Sequence, residues 1–196
     1  MPRPDLSDKL IHFTGGNSHE EAFGNLCSII EDRGIRGSNN KIKGLFTCVC
    51  FTEAPLAALR RGLVNLQDYS RYRPFGIIYD KTFIHALGGR PVIYQPDVEY
   101  DDLSHSSKWR HMRYEPNADP PIDFTWEREW RVRTERLPVQ SHHAVIVVPN
   151  RGWEERLRDA HAEQQDHQVY EYSQIMDQLL AEQHREEFPW RVTCIE

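Results

Sequence analysis

The sequence predicts an α+β domain with a mainly antiparallel sheet. Short β-rich apolar segments are mixed with short amphipathic ones, without the regular strand–helix–strand repeat of parallel α/β proteins. The 196 residues are the size of one domain and are enough to bury a core without disulfides or metal. A hydrophobic fraction of 39% and a charged fraction of 28% are typical of a globular chain. We therefore expect residues 1–196 to form a single domain.

The N-terminal elements carry clear local signals. Residues 9–14, KLIHFT, form the predicted first strand, which Gly15-Gly16 ends. Ser18 followed three residues later by Glu21 is a capping box, so a helix is predicted from Ser18 to about residue 32. Gly34 is its expected C-terminal stop.

Further elements follow from β-branched and aromatic runs, which predict strands, and from amphipathic runs, which predict helices. The predicted strands are residues 44–51, 76–79, 91–94, 127–134, 144–148 and 190–195, the last at a sheet edge. The predicted helices are residues 55–63, 81–87, 152–163 and 173–184. The segment 115–123 holds three prolines without periodicity and is predicted to be a loop.

Charge and apolar patterning limit the location of the protein. No apolar run approaches the roughly 20 residues of a membrane helix, and the N-terminus lacks the apolar core of a secretory signal. A cytoplasmic protein with reduced, buried thiols at its four cysteines is therefore expected. Residues 1–150 are neutral, so the net charge of -6 lies in an acidic, helix-rich C-terminal part, residues 151–196.

Several enzyme classes are disfavoured because their motifs are missing. The sequence contains no Walker loop, no G-x-G-x-x-G, no G-x-S-x-G and no H-E-x-x-H. Neither the histidine spacing nor the cysteine spacing suits a metal site, so no metal cofactor is expected.

Two segments offer groups that could carry chemistry. His12 and Thr14 lie two apart at the end of the first strand, where they present an imidazole and a hydroxyl, although a capping His and a strand Thr would give the same pattern. Glu127 and Glu129 are predicted to share one strand face after the proline-rich loop. Such a carboxylate pair suits a developing positive charge, but a solvated strand face with cross-strand Arg pairs is the alternative.

Three motifs resemble a known superfamily. HFT at residues 12–14, CVCFTEAPL at 48–56 and EREWRV at 127–132 occur in the order seen in the ADP-ribosyltransferase superfamily, and they are similar to DarT-type toxins. The same stretch with FGIIYDK, GGRPVIYQP and WRHMRYEP also resembles AbiGi-type abortive phage-resistance proteins, over most of residues 9–150.

The resemblance implies a split antiparallel sheet with short flanking helices, and an enzyme that passes ADP-ribose from NAD, its co-substrate, to a nucleophile. Glu129 matches the family's catalytic Glu, which would stabilise an oxocarbenium-like transition state. Glu127 resembles the first Glu of the E-x-E pair that activates the acceptor in arginine-specific transferases. The NAD contacts are expected from His12, Phe13, Thr14, Phe51, Thr52, Arg71 and Tyr72.

The resemblance leaves the cofactor-holding arginine and the acceptor open. DarT enzymes carry an Arg near the position of Glu53, and here that role would pass to Arg60, Arg61, Arg71 or Arg73. An aromatic and basic cluster precedes the loop and suits a splayed base, although it could instead pack into the core. Its expected substrate-binding residues are Arg110, His111, Arg113 and Tyr114.

We therefore expect a toxin or phage-defence effector that ADP-ribosylates a nucleic-acid base in RNA or single-stranded DNA. Its acidic residues 151–196 are either a contact surface for an antitoxin or a solvated helical face. Two alternatives stay open. One is an NAD glycohydrolase or a protein ADP-ribosyltransferase with the same pocket. The other is a non-enzymatic antitoxin or immunity module that uses the fold for binding.

Overall fold

A computed structural model of the chain describes residues 7–56 and 73–195. Its centre is a seven-stranded sheet in the order β11-β10-β4-β1-β3-β8-β5, and every pair is antiparallel except β10 with β11. The mainly antiparallel α+β class is therefore confirmed. The strands of this sheet are β1 (Lys9–Phe13), β3 (Cys48–Thr52), β4 (Gly76–Asp80), β5 (Arg90–Pro91), β8 (Glu129–Arg133), β10 (Ala144–Val148) and β11 (Arg191–Cys194).

Two helices cover one face of the sheet. Helix α1 (His19–Glu31) begins where Ser18 accepts a hydrogen bond from the amide of Glu21, as the sequence predicts, and it buries Leu26 completely. Helix α3 (Arg151–Ser173) adds Leu157 to the same core. The sheet supplies alternate residues of its strands, because successive side chains of a strand point to opposite faces. Two shorter helices are α2 (Lys81–Ala86) and α4 (Gln178–Glu182).

The ladder between β1 and β3 has the fewest registered residue pairs in the sheet. Strand β1 pairs with β4 over five residue pairs, and β3 pairs with β8 over five, but β1 and β3 share one registered pair, Ile11 with Thr52. We call this pair the seam. It joins a first half (β11, β10, β4 and β1) to a second half (β3, β8 and β5). Beyond the seam the ladder stops and a cavity opens.

Two small sheets flank the large one, and the sequence signals missed most of their strands. The first pairs β2 (Gly34–Arg36) with β9 (Arg136–Pro138), and the second pairs β6 (Ile93–Gln95) with β7 (His111–Arg113). The strand predicted at residues 91–94 is in fact divided between β5 and β6. Three-residue strands depend on their partner rather than on a local pattern, which is why they escaped detection.

Three further boundaries differ from the predictions. The αL residue after α1 is Arg33 (φ 48°) rather than Gly34, whose missing Cβ instead leaves room for Arg136. The strand predicted at 44–51 begins only at Cys48, after a turn with Leu45 at φ 59°. The helices predicted at 152–163 and 173–184 are one long helix, α3, and a one-turn helix, α4. Most of the helix predicted at 55–63 lies outside the described residues.

Candidate functional site

A cavity of about 300 Å³ lies where β1 and β3 separate beyond the seam. Side chains from both halves of the sheet line it, so the site depends on the whole fold. Its polar and charged lining groups are His12, Thr14, Lys41, Cys50, Thr52, Glu127, Glu129 and Arg131. The same cavity therefore brings together the two segments that the sequence singles out.

His12 forms one wall and is held in one tautomer. Its Nδ1 lies 2.8 Å from the carbonyl oxygen of Cys50. A carbonyl only accepts, so Nδ1 carries the proton and Nε2 is left as an acceptor. Burial lowers the pKa of His12 below its usual value of 6.5, and this outweighs the opposite effect of the Cys50 carbonyl. The imidazole is therefore neutral at physiological pH.

Glu129 and Arg131 form the opposite wall. They lie two residues apart on β8 and point to the same face, where the guanidinium Nε donates to Oε1 of Glu129 at 2.7 Å. Both side chains are buried, with 8% and 2% of their surfaces exposed. Burial alone would lower the pKa of Arg131, but the Glu129 carboxylate reverses this and raises it. The Arg131 guanidinium therefore keeps its charge, and the two side chains form a buried salt bridge.

Arg131 also fixes the segment above the cavity. Its Nη1 donates to the carbonyl oxygens of Trp109 at 2.9 Å and of His111 at 2.8 Å. The Nη2 nitrogen donates to the second oxygen of Glu129 at 3.4 Å, so all three guanidinium nitrogens have partners. Sequence reasoning did not select Arg131, although its i, i+2 spacing from Glu129 on a predicted strand was a usable signal.

Glu127 reaches the cavity by a different route from the one predicted. The expectation that Glu127 and Glu129 share one strand face is wrong, because Glu127 belongs to a 3-10 turn (Thr125–Glu127) and β8 begins only at Glu129. Arg128 between them is left-handed, at φ 46° and ψ 51°. The Thr52 hydroxyl donates to the Glu127 carbonyl oxygen at 2.5 Å, which fixes the turn. Both carboxylates nevertheless line the cavity.

Tyr94 contacts the backbone at both ends of this turn. Its hydroxyl donates to the Phe124 carbonyl oxygen at 3.2 Å and accepts from the Glu129 amide at 3.1 Å. Burial raises the pKa of Tyr94 to about 12, so the hydroxyl keeps its proton and can serve both partners. Tyr94 therefore locks the backbone on both sides of Arg128, and it is a second residue that sequence reasoning missed.

The other expected NAD-contacting residues of the described chain border the cavity with varying exposure. The Thr14 hydroxyl donates to the Ala22 carbonyl oxygen at 2.8 Å and so ties β1 to α1. Phe51 is 2% exposed and packs in the core, with its ring 5.9 Å from that of His12. Phe13 lies at the rim and contacts the smaller apolar cluster on the other face of the sheet. Arg71 and Tyr72 lie outside the described residues, as do Arg60 and Arg61.

The structure does not bring the expected acceptor residues into the cavity. Arg110 donates to the Pro91 carbonyl oxygen, Arg113 is paired with Glu115, and His111 is 4% exposed against Tyr100. Because β7 alternates, it is Met112 that lines the cavity. The remaining expected acceptor residue is Tyr114, which is half-buried and follows β7.

A second groove of about 620 Å³ continues from the cavity between α1 and β2. The two spaces share His12, Thr14 and Gly15, and Asn25 fixes the shared corner by donating to the Gly15 carbonyl oxygen at 2.7 Å. Arg73, the one candidate cofactor arginine within the described residues, donates to the carbonyl oxygens of Gly16 and Asn17 beside this corner.

Within residues 7–56 and 73–195, no cluster of three or more His, Cys, Asp or Glu side chains could hold a metal ion. The four cysteines are all free thiols. Burial, with a smaller contribution from the Glu129 carboxylate, raises the pKa of Cys50, so this cavity thiol is neutral.

Comparison of the chain with protein-family models, curated proteins and solved structures gives no match. Within the part of the chain that the structure describes, no helix is both long and apolar enough to cross a membrane.

Proposed function

We propose that the protein is an NAD-dependent mono-ADP-ribosyltransferase, a toxin or phage-defence effector of the cytoplasm that modifies a nucleic-acid base. The observation that carries the proposal is the cavity between the two halves of the sheet. It sets a buried carboxylate, that of Glu129 in its salt bridge with Arg131, opposite a neutral imidazole, His12, whose Nε2 is an acceptor. The split between β1 and β3 also agrees with the sheet that the resemblance implies.

The charges suit cleavage of the nicotinamide–ribose bond. As that bond breaks, its electron pair leaves with nicotinamide and positive charge grows on the ribose. A fixed carboxylate nearby stabilises this charge, and such preorganised groups are worth roughly 3–4 kcal/mol. Arg131 occupies only part of the Glu129 carboxylate, which has about four lone-pair sites. Capacity is therefore left for a ribose hydroxyl.

The remaining groups have roles that fit the same reaction. Glu127 lies close to Glu129 in sequence and lines the same cavity, where its carboxylate could take the proton that the acceptor loses when it attacks the ribose. The cavity suits the nicotinamide riboside part of NAD, and the adjoining groove of about 620 Å³ offers room for the rest of a dinucleotide.

The test is incubation with NAD labelled in its adenylate part and with separate pools of RNA, single-stranded DNA and cell protein. We expect label on one nucleic-acid pool with the wild type and none with Glu129→Gln. Glu135→Gln is the matched control, since Glu135 is exposed just beyond β8. Thermal unfolding of both variants separates a lost catalytic group from a lost fold.

The outcomes divide the alternatives. Label on protein alone would favour a protein ADP-ribosyltransferase, and free ADP-ribose alone would favour an NAD glycohydrolase. Absence of NAD consumption by the folded wild type would overturn the enzyme proposal. It would leave the antitoxin or immunity module, for which the Glu129–Arg131 pair is a structural ion pair and the acidic residues 151–196 are a contact surface.

A further inference from the structure

The described arginines that line the cavity and its adjoining groove are both paired with carboxylates. Arg131 binds Glu129, and Arg36 in the groove binds Asp32 at 2.9 Å. Lys41 also lines the cavity, and none of its ion pairs or hydrogen bonds falls within residues 7–56 and 73–195. Its ammonium group is thus the cation of the described lining that is not already neutralised.

The backbone that carries Lys41 is fixed although its side chain is exposed. The Ile42 amide donates to the Asn39 carbonyl oxygen at 3.1 Å, and the Ile42 side chain is 6% exposed among Cys48 and Trp109. The next residue, Lys43, lies 2.8 Å from an Asp97 carboxylate oxygen. Lys41 therefore has a stable base beside the cavity and a flexible, hydrated head.

We propose that Lys41 is the phosphate-binding residue of this cavity. A compact ammonium on a flexible stem binds phosphate oxygens as a point charge and needs no precise orientation. The described inner wall offers no unpaired cation, because Arg131 is engaged by Glu129, so a phosphate is directed to the rim where Lys41 lies. A phosphorylated ligand would thus enter with its phosphate-free part toward Glu129.

Two ligands could supply that phosphate. One is the diphosphate of a dinucleotide, in which case the inference rests on the proposed function and names a residue that holds the co-substrate. The other is the backbone phosphate of a single-stranded nucleic acid. Both share the same chemistry at Lys41, and binding measurements distinguish them.

The experiment measures the binding of three probes to the intact protein by calorimetry: ADP-ribose, adenosine and a single-stranded oligonucleotide. The variants are Lys41→Ala, the rescue variant Lys41→Arg, and Lys43→Ala as the matched control, because Lys43 is already engaged by Asp97 and by the Tyr100 ring. A lost charge-assisted contact is expected to weaken binding by about tenfold or more.

For a dinucleotide, Lys41→Ala weakens ADP-ribose about tenfold, Lys41→Arg restores most of it, and adenosine binding does not change. For a nucleic acid, Lys41→Ala weakens the oligonucleotide instead and reduces the slope of log K against log salt by about 0.7. The inference is overturned if the wild type binds neither phosphorylated probe. It is also overturned if Lys41→Ala binds both of them as tightly as the wild type does.

The fate of the proposed function is read separately, from NAD consumption. If ADP-ribose binding depends on Lys41 but the protein does not turn over NAD, this inference stands and the proposed enzymatic function is wrong. If NAD turnover is the same in Lys41→Ala as in the wild type, the proposed function stands and this inference is wrong.

Discussion

The neutral His12 makes the stability of the protein depend on pH. The pKa of His12 is lowered in the folded state, whereas the unfolded chain keeps the usual value of about 6.5. Below pH 6.5 the unfolded state therefore binds more protons, so the contribution of His12 is complete above that pH and is lost as the pH falls toward the folded-state pKa.

We expect the free energy of unfolding of the wild type to decline from pH 7.5 to pH 5, and that of His12→Asn to decline less. Asparagine keeps a donor for the Cys50 carbonyl oxygen but has no proton to gain in this range. Urea unfolding at the two pH values measures both. Part of the decline remains in the variant, because burial also lowers the pKa of His111. Identical slopes for the two proteins would contradict the assignment.

The buried pair offers a second test at the residue level. Arg131→Met leaves the Glu129 carboxylate buried without its counter-ion, and we expect a loss of about 3–5 kcal/mol in unfolding free energy. The double variant with Glu129→Gln should recover a large part of this loss, because no charge is then stranded. Denaturant titration of the four proteins of this cycle gives the coupling energy. A loss below about 1 kcal/mol in the single variant would show that the pair is not coupled.

At the level of elements, the turn before β3 contains avoidable strain. Leu45 has φ 59° and is 77% exposed, so it accepts an unfavourable backbone conformation without gaining burial. Leu45→Asn should stabilise the protein by about 0.5–1 kcal/mol, since asparagine tolerates this region. Leu45→Val should destabilise it by about 1 kcal/mol, because a β-branched residue does not. Thermal unfolding of the two variants is the measurement, and a shift of the same sign for both would refute the argument.

The elements that the sequence predicts well are those with their own local signals. β1, α1, β4 and β10 have a capping residue, a clear period or a β-branched run within the segment itself. The placement of residues 190–195 at a sheet edge is confirmed, since β11 is the last strand of the order.

What the sequence did not predict depends on partners that are distant along the chain. Strand β2 needs β9, about 100 residues away, and neither has a pattern of its own. Helix α3 runs through a polar stretch of glutamines and histidines with little apolar periodicity, and its buried residues after Leu157 are Gln165 and Val169. The candidate site follows the same division, since His12, Glu127 and Glu129 were found locally, whereas Tyr94 and Arg131 matter through their contacts.

At the level of the whole molecule, the acidic C-terminal part belongs to the core. Residues 151–196 supply Leu157, Trp190 and Ile195, which are 2%, 6% and 0% exposed. A fragment of residues 1–150 loses these side chains and the strand that covers one edge of β10.

We therefore expect the fragment of residues 1–150 to be unfolded by circular dichroism, whereas the full chain unfolds in one cooperative step. The control is Leu179→Glu in the full chain. Leu179 is 77% exposed in the same C-terminal part, so this change should alter stability by no more than about 0.5 kcal/mol. A fragment with native-like ellipticity would show that the C-terminal part is an appendage.

The seam bears on how the two halves of the sheet can move relative to each other. The two halves of the sheet share one registered pair, Ile11 with Thr52, and the hydrogen bond from His12 to the Cys50 carbonyl oxygen also crosses between them. Each half carries one wall of the cavity. Neither half is a continuous stretch of chain, because the strands of the two halves are interleaved along the sequence. Because His12 belongs to one half and Glu129 to the other, a small rotation of the halves about the seam would change the distance between these two side chains. We therefore expect amide exchange to be faster at the seam than in the longer ladders within either half.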